Sequence, residues 1–253
     1  MQEKFYELTD SQWQIIEKII DSKRKRKHSL RTTINAILYV NYTGVQWRNL
    51  ESKYPPWQSV FYHFTQLKHR GIWEQILDSL VVASRKNMGR VASPSLLAID
   101  NQSVKTVQFV STGIGVDGHK NINGRKRTLL VDKLGHPFAI KVTGANISDN
   151  KAGLLALELL QGKVARLEKI AADKGYKNTF IEQTHLRYGW AVEIAQKPES
   201  SKGFVPEKNR WQVERSFSWL NFRRRLFREV EKTIESAEAM LQIAFISFYI
   251  RKL

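Results

Sequence analysis

Cysteine is absent from the 253-residue sequence, which excludes disulfide bonds and zinc sites built from thiolates. A long hydrophobic run is also missing, because the longest apolar stretch, AFISFYI, is far short of the roughly 20 residues that span a bilayer. The first residues, MQEKFYELTD, contain no apolar core of a signal peptide. No Gly-Lys-Thr loop of the kind that cradles nucleotide phosphates is present. We therefore expect a cytoplasmic protein with no membrane partner and no nucleotide cofactor.

Acidic residues are scarce relative to basic ones. The 24 Asp and Glu residues stand against 41 Lys and Arg residues, which gives a formal net charge of +17. A charge excess of this size favours a polyanionic partner, either nucleic acid or an anionic membrane surface. Since no membrane segment is predicted, nucleic acid is the preferred interpretation. The apolar fraction of 42% is sufficient for a buried core.

Residues 1–90 have the apolar spacing of several short amphipathic helices. Thr9 or Asp10 can cap the first helix, and Gly44 can end the second. The basic run KRKRK at 23–27 joins these two helices. Short helices with tight turns and basic joints are typical of a helix-turn-helix DNA-binding domain. A helical bundle with no role in DNA binding is the alternative that this pattern leaves open.

After a polar segment at 88–95, which we interpret as a linker, the pattern changes to strands and helices. SLLAID, which ends in Asp100, RTLLVD and FAIKVTG are predicted to be three successive strands. A helix, a strand that ends in Asp173, a helix, a strand and two helices follow. This order predicts an α/β fold, a ribonuclease-H-like mixed sheet flanked by helices and preceded by an all-helical domain. The predicted domains are therefore 1–90 and 91–253.

Three carboxylates in the second domain are candidates for a metal site. Asp100 and Asp173 each end a predicted strand, and strand ends at one edge of an α/β sheet are where ligands bind. Two carboxylates that meet there repel each other unless a cation lies between them. The segment from Arg210 to Lys232 is predicted to be one helix, on which Glu214 borders the apolar stripe and can point toward both aspartates. Such oxygen ligands select magnesium or manganese.

Each of these acids also has an ordinary interpretation. An aspartate after a strand is commonly a turn or cap residue, and Glu214 can form a solvated ion pair with Arg210, four residues earlier. Glu207 is the nearest substitute for Glu214. Asp132 is predicted to lie in a hairpin turn, and Asp149 to cap a helix. The combination of three acids favours the metal site over these separate roles.

The motifs around the three acids resemble those of a known family. AIDNQSVKT, AADKGY and RWQVERSFSWLNFRRRL, in this order and spacing, resemble the acidic motifs of DDE transposases of bacterial insertion sequences, of the IS-five type. GVDGHKNINGRKRTLLVDKLG resembles the family's basic loop and hairpin, and TGVQWRNLESKYPPWQSVFYHF with GIWEQILDSL resembles its N-terminal helical domain. The resemblance covers nearly the whole chain. Asn101, Thr128, Glu51 and His119 depart from the family pattern, but no residue of the triad does.

The resemblance implies that Asp100, Asp173 and Glu214 are the catalytic metal ligands. It implies two Mg²⁺ ions, for which Mn²⁺ can substitute, and double-stranded DNA as the substrate, both as element ends and as target. Two-metal phosphoryl transfer would cleave at an element end and then join the freed 3′-OH to target DNA. A homodimer on DNA is expected because each element has two ends. We expect the protein in the bacterial cytoplasm, on the nucleoid when it is bound to DNA.

Basic residues outside the triad are the candidates for DNA contacts. GRKR at 124–127 is interpreted as a flexible loop that clamps phosphate, and KRKRK as a segment that follows the DNA backbone. For several of these side chains a solvated surface position is the alternative. The predicted DNA contacts are Lys23, Arg24, Lys25, Arg26, Lys27, Arg31, Arg48, Lys120, Arg125, Lys126, Arg127, Lys174, Arg223, Arg224 and Arg225.

Two other functions are open at this point. One is a DNA-binding regulator that has lost catalysis, which would keep the charge and the helical half without needing all three acids. The other is a metal-dependent nuclease of the same fold, which would cut DNA but could not join ends.

Overall fold

The computed structural model describes residues 4–20, 26–194 and 210–253. Its N-terminal part contains four helices, with a short 3-10 turn at Trp47–Asn49 between the second and the third. The helices are α1 (Asp10–Glu17), α2 (Leu30–Thr43), α3 (Trp57–His69) and α4 (Ile72–Asn87). As predicted for residues 1–90, all regular secondary structure in the described residues of this range is helical.

Local sequence sets where these helices begin and end. Thr9 and Gln12 form a capping box at the start of α1, and the Ser29 hydroxyl accepts a hydrogen bond at the start of α2. Gly44 ends α2 in the left-handed conformation, with φ of 73°. A side chain at Gly44 would also come within 3.1 Å of the backbone of Arg224. The predicted end of α2 at Gly44 is confirmed.

Among the described residues of the C-terminal part, six strands form one mixed sheet. Five of them lie in the order β2-β3-β1-β5-β6, and β4 pairs with β3. The pairs β1–β3, β2–β3 and β3–β4 are antiparallel, whereas β1–β5 and β5–β6 are parallel. The strands are β1 (Leu96–Lys105), β2 (Gly115–Asp117), β3 (Ile122–Val131), β4 (Pro137–Gly144), β5 (Lys169–Ala172) and β6 (Ala191–Ile194). This is the mixed α/β sheet that the sequence predicts, with one additional short strand, β2.

Helices cover both faces of this sheet. Side chains alternate between the two faces of a strand, and Asn101 of β1 points toward the side that contains α5 (Asp149–Glu158) and α6 (Asn178–Tyr188), where it contacts Tyr176. Asp100, its neighbour, points to the opposite side, where α7 (Trp211–Leu220) begins. The alternation along β1 therefore places Asp100 on the face of the sheet away from Asn101 and the α5–α6 layer.

The last helix, α8 (Ile234–Tyr249), joins the N-terminal helices to the sheet. The Asn41 amide of α2 donates to the Met240 carbonyl oxygen at 2.9 Å, and the Lys68 ammonium of α3 donates to the Ser236 hydroxyl at 3.1 Å. On the sheet side, the Tyr249 hydroxyl donates to the Gly135 carbonyl oxygen at 2.7 Å. A single apolar core runs through both parts of the chain. The division into domains 1–90 and 91–253 stays a prediction, since α8 packs against both the N-terminal helices and the sheet.

Two predicted boundaries are wrong. β1 does not end at Asp100 but continues to Lys105, because β3 supplies hydrogen-bonding partners as far as Gly124. The predicted helix from Arg210 to Lys232 ends at Leu220 and is followed by a 3-10 turn at Arg224–Leu226. Beyond this turn the backbone of Glu229 bonds with the end of β1, donating to the Lys105 carbonyl oxygen at 2.9 Å. The backbone groups of Glu229 that bond with β1 are therefore not available for the hydrogen bonds of a continuous helix.

Asp132 and Asp149 have more specific partners than a turn or a cap requires. Asp132 lies in the β3–β4 turn, as predicted, but it is buried and pairs with Arg85 of α4 and with His136. Burial works to raise the pKa of the Asp132 carboxyl, but His136 and Arg85 outweigh it and the pKa is lowered. The cap of α5 is Ser148 and not Asp149, which is the first residue of the helix.

Candidate active site

The three predicted acids lie around the C-terminal end of β5. Ala98 of β1 pairs with Ala171 of β5 in the parallel register, and Asp100 and Asp173 each follow two residues after that pair. The two aspartates are therefore level with each other on adjacent strands, although only Asp173 lies at a strand end. Glu214 comes from the first turn of α7, whose apolar side packs onto the sheet. Val213, Phe217 and Leu220 form this buried side, as predicted, and so place Glu214 beside β1.

Arg210 connects two of the acids. Its Nη2 atom lies 3.1 Å from Glu214 Oε1 and 3.5 Å from Asp100 Oδ2. The arginine side chain is mostly buried, whereas Glu214 keeps about half of its side chain exposed. The sequence spacing predicts the i,i+4 pair with Glu214 but not the contact with Asp100, because that contact depends on how α7 crosses β1. Arg210 is therefore a site residue that the sequence identifies only in part.

The acids influence one another electrostatically. Burial raises the pKa of the Asp100 carboxyl to about 6, and the charges of Asp173 and Glu214 add to the increase. The Arg210 guanidinium and the backbone N–H of Asn101 act in the opposite direction. Three carboxylates this close to one another repel each other, and a nearby cation reduces that repulsion. In this structure the cation between Asp100 and Glu214 is Arg210.

The donor atoms available fit a hard divalent metal. All three predicted ligands are carboxylates, which suit Mg²⁺ or Mn²⁺ rather than zinc. Within residues 4–20, 26–194 and 210–253, no three His, Cys, Asp or Glu side chains converge closely enough to hold a metal ion as they stand. The guanidinium of Arg210 lies between two of the predicted ligands, so their separation here is that of an ion pair and not of metal coordination.

Comparison with protein families identifies the family of the chain. Residues 8–77 match a family model described as "Putative transposase of IS4/5 family", and residues 92–250 match the model "Transposase DDE domain". The chain belongs to the DDE transposase family. The predicted family is thereby confirmed, and so is the fold class, a mixed sheet of the ribonuclease-H-like type with a helical region before it. A search of curated proteins returned no match.

In the transposase, buried polar side chains form hydrogen bonds on the face of β1 opposite Asp100. The Asn101 amide donates to the Tyr176 hydroxyl at 2.7 Å, and the Thr128 hydroxyl donates to the Asn101 side-chain oxygen. Asn101 and Thr128 are two of the positions that depart from the family pattern, and they face each other on β1 and β3. They form a matched pair that fixes Tyr176, which directly follows the Asp173–Gly175 turn. Burial, together with the charges of nearby aspartates, raises the pKa of Tyr176.

A fourth carboxylate lies next to Asp173. A side chain at Gly175 would meet Asp173 Oδ1 at 3.0 Å and Asp149 Oδ2 at 3.5 Å, so these two oxygens border the same small space. The other oxygen of Asp149 accepts a hydrogen bond from the buried Lys126 ammonium at 2.6 Å. The sequence gives no signal for this position, because Asp149 is 24 residues before Asp173 and reads as an ordinary residue of a helix start.

The prediction that 124–127 is a flexible, phosphate-binding loop is wrong. These residues belong to β3, and Arg125, Lys126 and Arg127 are almost fully buried. The Arg125 and Arg127 side chains share Glu229 and donate to backbone carbonyl oxygens between Leu226 and Thr233. A run of adjacent basic residues suggests a solvated surface, whereas the alternation of a strand sends the two arginines to one face and Lys126 to the other.

The side chains of the remaining predicted DNA contacts differ in their exposure and in whether they already pair with another residue. Arg31 pairs with Asp10 at 2.5 Å, Arg225 pairs with Glu231 at 2.8 Å, and the mostly buried Arg223 lies over the Tyr42 ring. Lys23, Arg24 and Lys25 lie outside the described residues. Exposed or partly exposed side chains belong to Arg26, Lys27, Arg48, Lys120, Lys174 and Arg224.

No helix in the described parts of the chain combines the length and the apolar character that crossing a bilayer requires.

Proposed function

We propose that this DDE transposase binds the terminal inverted repeats of its insertion sequence, cleaves at the element ends and joins the freed 3′-OH to target DNA. The observation that supports the proposal is that Asp100, Asp173 and Glu214, which are far apart in the sequence, lie in the same region of the sheet. Asp100 and Asp173 are level on adjacent parallel strands, and Glu214 reaches the same guanidinium as Asp100. A regulator without catalysis would have no need of this arrangement.

Asp100, Asp173 and Glu214 would hold two Mg²⁺ ions, with Mn²⁺ as a substitute. Such a pair of ions activates the attacking oxygen and relieves charge on the leaving oxygen in an in-line displacement. Asp100, which is level with Asp173 and shares the Arg210 guanidinium with Glu214, would be the central ligand of this set. Arg210 keeps Asp100 and Glu214 together and lowers their mutual repulsion. The buried contacts of Asn101 with Tyr176 hold β1 and the turn after Asp173 in register.

A single assay distinguishes the proposal from its two rivals. Purified protein is supplied with Mg²⁺, a plasmid target, and a duplex that carries either an intact or a pre-cleaved element end. Covalent joining of the end to the plasmid is the expected result. Cleavage of an intact end without joining would identify a nuclease, and binding of the end without cleavage or joining would identify a regulator.

We expect the basic segment KRKRK at 23–27 to contribute to the salt dependence of DNA binding. Each phosphate contact that is lost reduces the slope of log affinity against log salt by about 0.9. Replacing all five residues with glutamine is expected to weaken binding and flatten this slope, measured by fluorescence anisotropy at several salt concentrations. Neutralising the exposed Lys169 and Arg187 provides a control of surface charge. An unchanged slope in the first variant would remove the segment from the interface.

The transposase is further proposed to act as a homodimer on DNA, because two ends must be joined in one event. Light scattering of the protein with end duplexes should then give the mass of two chains, and a single chain carrying both ends would contradict this. Its place of action is the bacterial cytoplasm, on the nucleoid while it is bound to DNA.

A further inference from the structure

We propose that the outer face of α3 reads the base sequence of the element ends. This inference rests on the proposed binding of element ends and assigns that binding to one surface. The four N-terminal helices differ in how many residues they bury. α2 has nine buried residues and α4 has seven, whereas α3 buries only Val60, Phe64 and Leu67, and the shorter α1 only Ile16. α3 is therefore attached along a single stripe and presents the rest of its circumference outward.

The side of α3 opposite this stripe has an unusual composition. At 100° per residue, Gln58, Tyr62, Thr65 and His69 follow one another along it, with spacings of four, three and four residues. We call these four residues the outer stripe of α3. Gln58, Tyr62 and His69 are exposed, with 58% of Tyr62 accessible, and Thr65 is partly exposed. In a chain in which 26% of residues are charged, an ordinary solvated helix would carry Lys and Glu at such positions.

The outer stripe contains the side chains that recognise bases. Gln, Thr and Tyr donate and accept hydrogen bonds, and a glutamine can bind adenine through two of them in the major groove. None of the thirteen residues of α3 is acidic, so the helix does not repel phosphate. The 13-residue length of α3 corresponds to about 20 Å at 1.5 Å per residue. A helix of this kind fits the major groove, which is about 12 Å wide.

Cations flank this stripe where the DNA backbone would pass. A cavity of about 380 Å³ beside α3 is lined by Tyr62 and Gln66 together with Arg26, Lys27 and Arg70. At the other end of the helix, the exposed Arg48 lies over the Trp57 ring, 5.4 Å from its centre. Neutral hydrogen-bonding groups in the middle and cations on both sides match the division of labour in DNA binding, in which phosphate contacts position the protein and base contacts specify the sequence. This charge pattern identifies double-stranded DNA as the occupant of the face.

The test uses duplexes that the full-length protein itself selects from a pool of random 20-base-pair sequences. Affinities for a selected duplex and for a scrambled duplex are compared between the parent protein and its variants. Gln58→Ala and Tyr62→Ala are expected to weaken binding of the selected duplex by roughly 5- to 150-fold, the scale of one lost base contact, and to leave the scrambled duplex unaffected. A new selection with Gln58→Ala protein should lose its preference at one base position.

Two further variants separate base recognition from general effects. Gln75→Ala, which removes an exposed glutamine from α4, is the matched control and should change neither affinity. Arg70→Gln should weaken both duplexes equally and reduce the salt slope by about one. Loss of affinity for both duplexes in Gln58→Ala and Tyr62→Ala, or no loss for either, would overturn the assignment of α3. If the parent protein selects no sequence, the proposed recognition of element ends itself fails.

Discussion

Replacement of Asp173 by asparagine is expected to abolish cleavage at the element end while end binding is retained. Asparagine has the shape of aspartate but lacks the negative charge with which the carboxylate would attract a divalent metal. Loss of a group that only supports a metal ligand commonly costs about 10- to 100-fold in activity. Loss of a ligand should therefore exceed about 100-fold. The measurement is the rate of strand cleavage of an end duplex with Mg²⁺, together with the affinity for the same duplex.

Glu182→Gln is the matched control for this variant. Glu182 is an exposed carboxylate of α6, the helix that follows Asp173 in the chain, and its replacement removes one negative charge from the same region. Its cleavage rate should stay close to that of the parent protein. Cleavage by Asp173→Asn at the parent rate would show that Asp173 is not a metal ligand, even if Asp100 and Glu214 are.

Replacement of Glu229 by glutamine is expected to destabilise the protein by about 3–5 kcal/mol, the usual cost of leaving a buried charge without its partner. Glu229 is buried and is the carboxylate shared by two buried arginines, at 3.8 Å from Arg125 and 3.3 Å from Arg127. Burial lowers the pKa of Arg127, and the charge of Glu229 counteracts this. Glutamine would keep the size of the side chain and remove the compensating charge. The free energy of unfolding from denaturant titration measures the effect.

Glu158→Gln supplies the comparison for this stability measurement. Glu158 is exposed and its ion pair with Arg187 is long, at 3.8 Å, so its loss should change the free energy of unfolding by less than about 0.5 kcal/mol. If Glu229→Gln unfolds at the same denaturant concentration as the parent protein, the two arginines are not held by charge. Their backbone carbonyl partners would then be sufficient for the stability of this region.

The sequence predicts the parts of the fold that depend on local patterns. Thr9 and Gly44 mark helix ends through their own chemistry, and the apolar stripe of α7 shows which side of that helix packs on the sheet. Asp100, Asp173 and Glu214 could be selected because their motifs and spacing resemble those of a family. Whether they coordinate metal stays a prediction.

The errors arise where distant residues decide the outcome. The GRKR segment has the composition of a surface loop, but Glu229 and the backbone after Leu226, about 100 residues later, compensate its charges inside the protein. The same contacts explain why the predicted helix ends at Leu220, since the carbonyl groups that follow serve the arginines and the edge of β1. The contact between Arg210 and Asp100 likewise requires knowledge of how α7 crosses the sheet.

The position of α8 also constrains the order of assembly during translation. The N-terminal helices leave the ribosome before α8, yet α2 and α3 bond to Met240 and Ser236 of α8. The surface formed by α3 therefore gains this support only after α8 has been made. Chains that stop before Ile234 should consequently lack this support for α3.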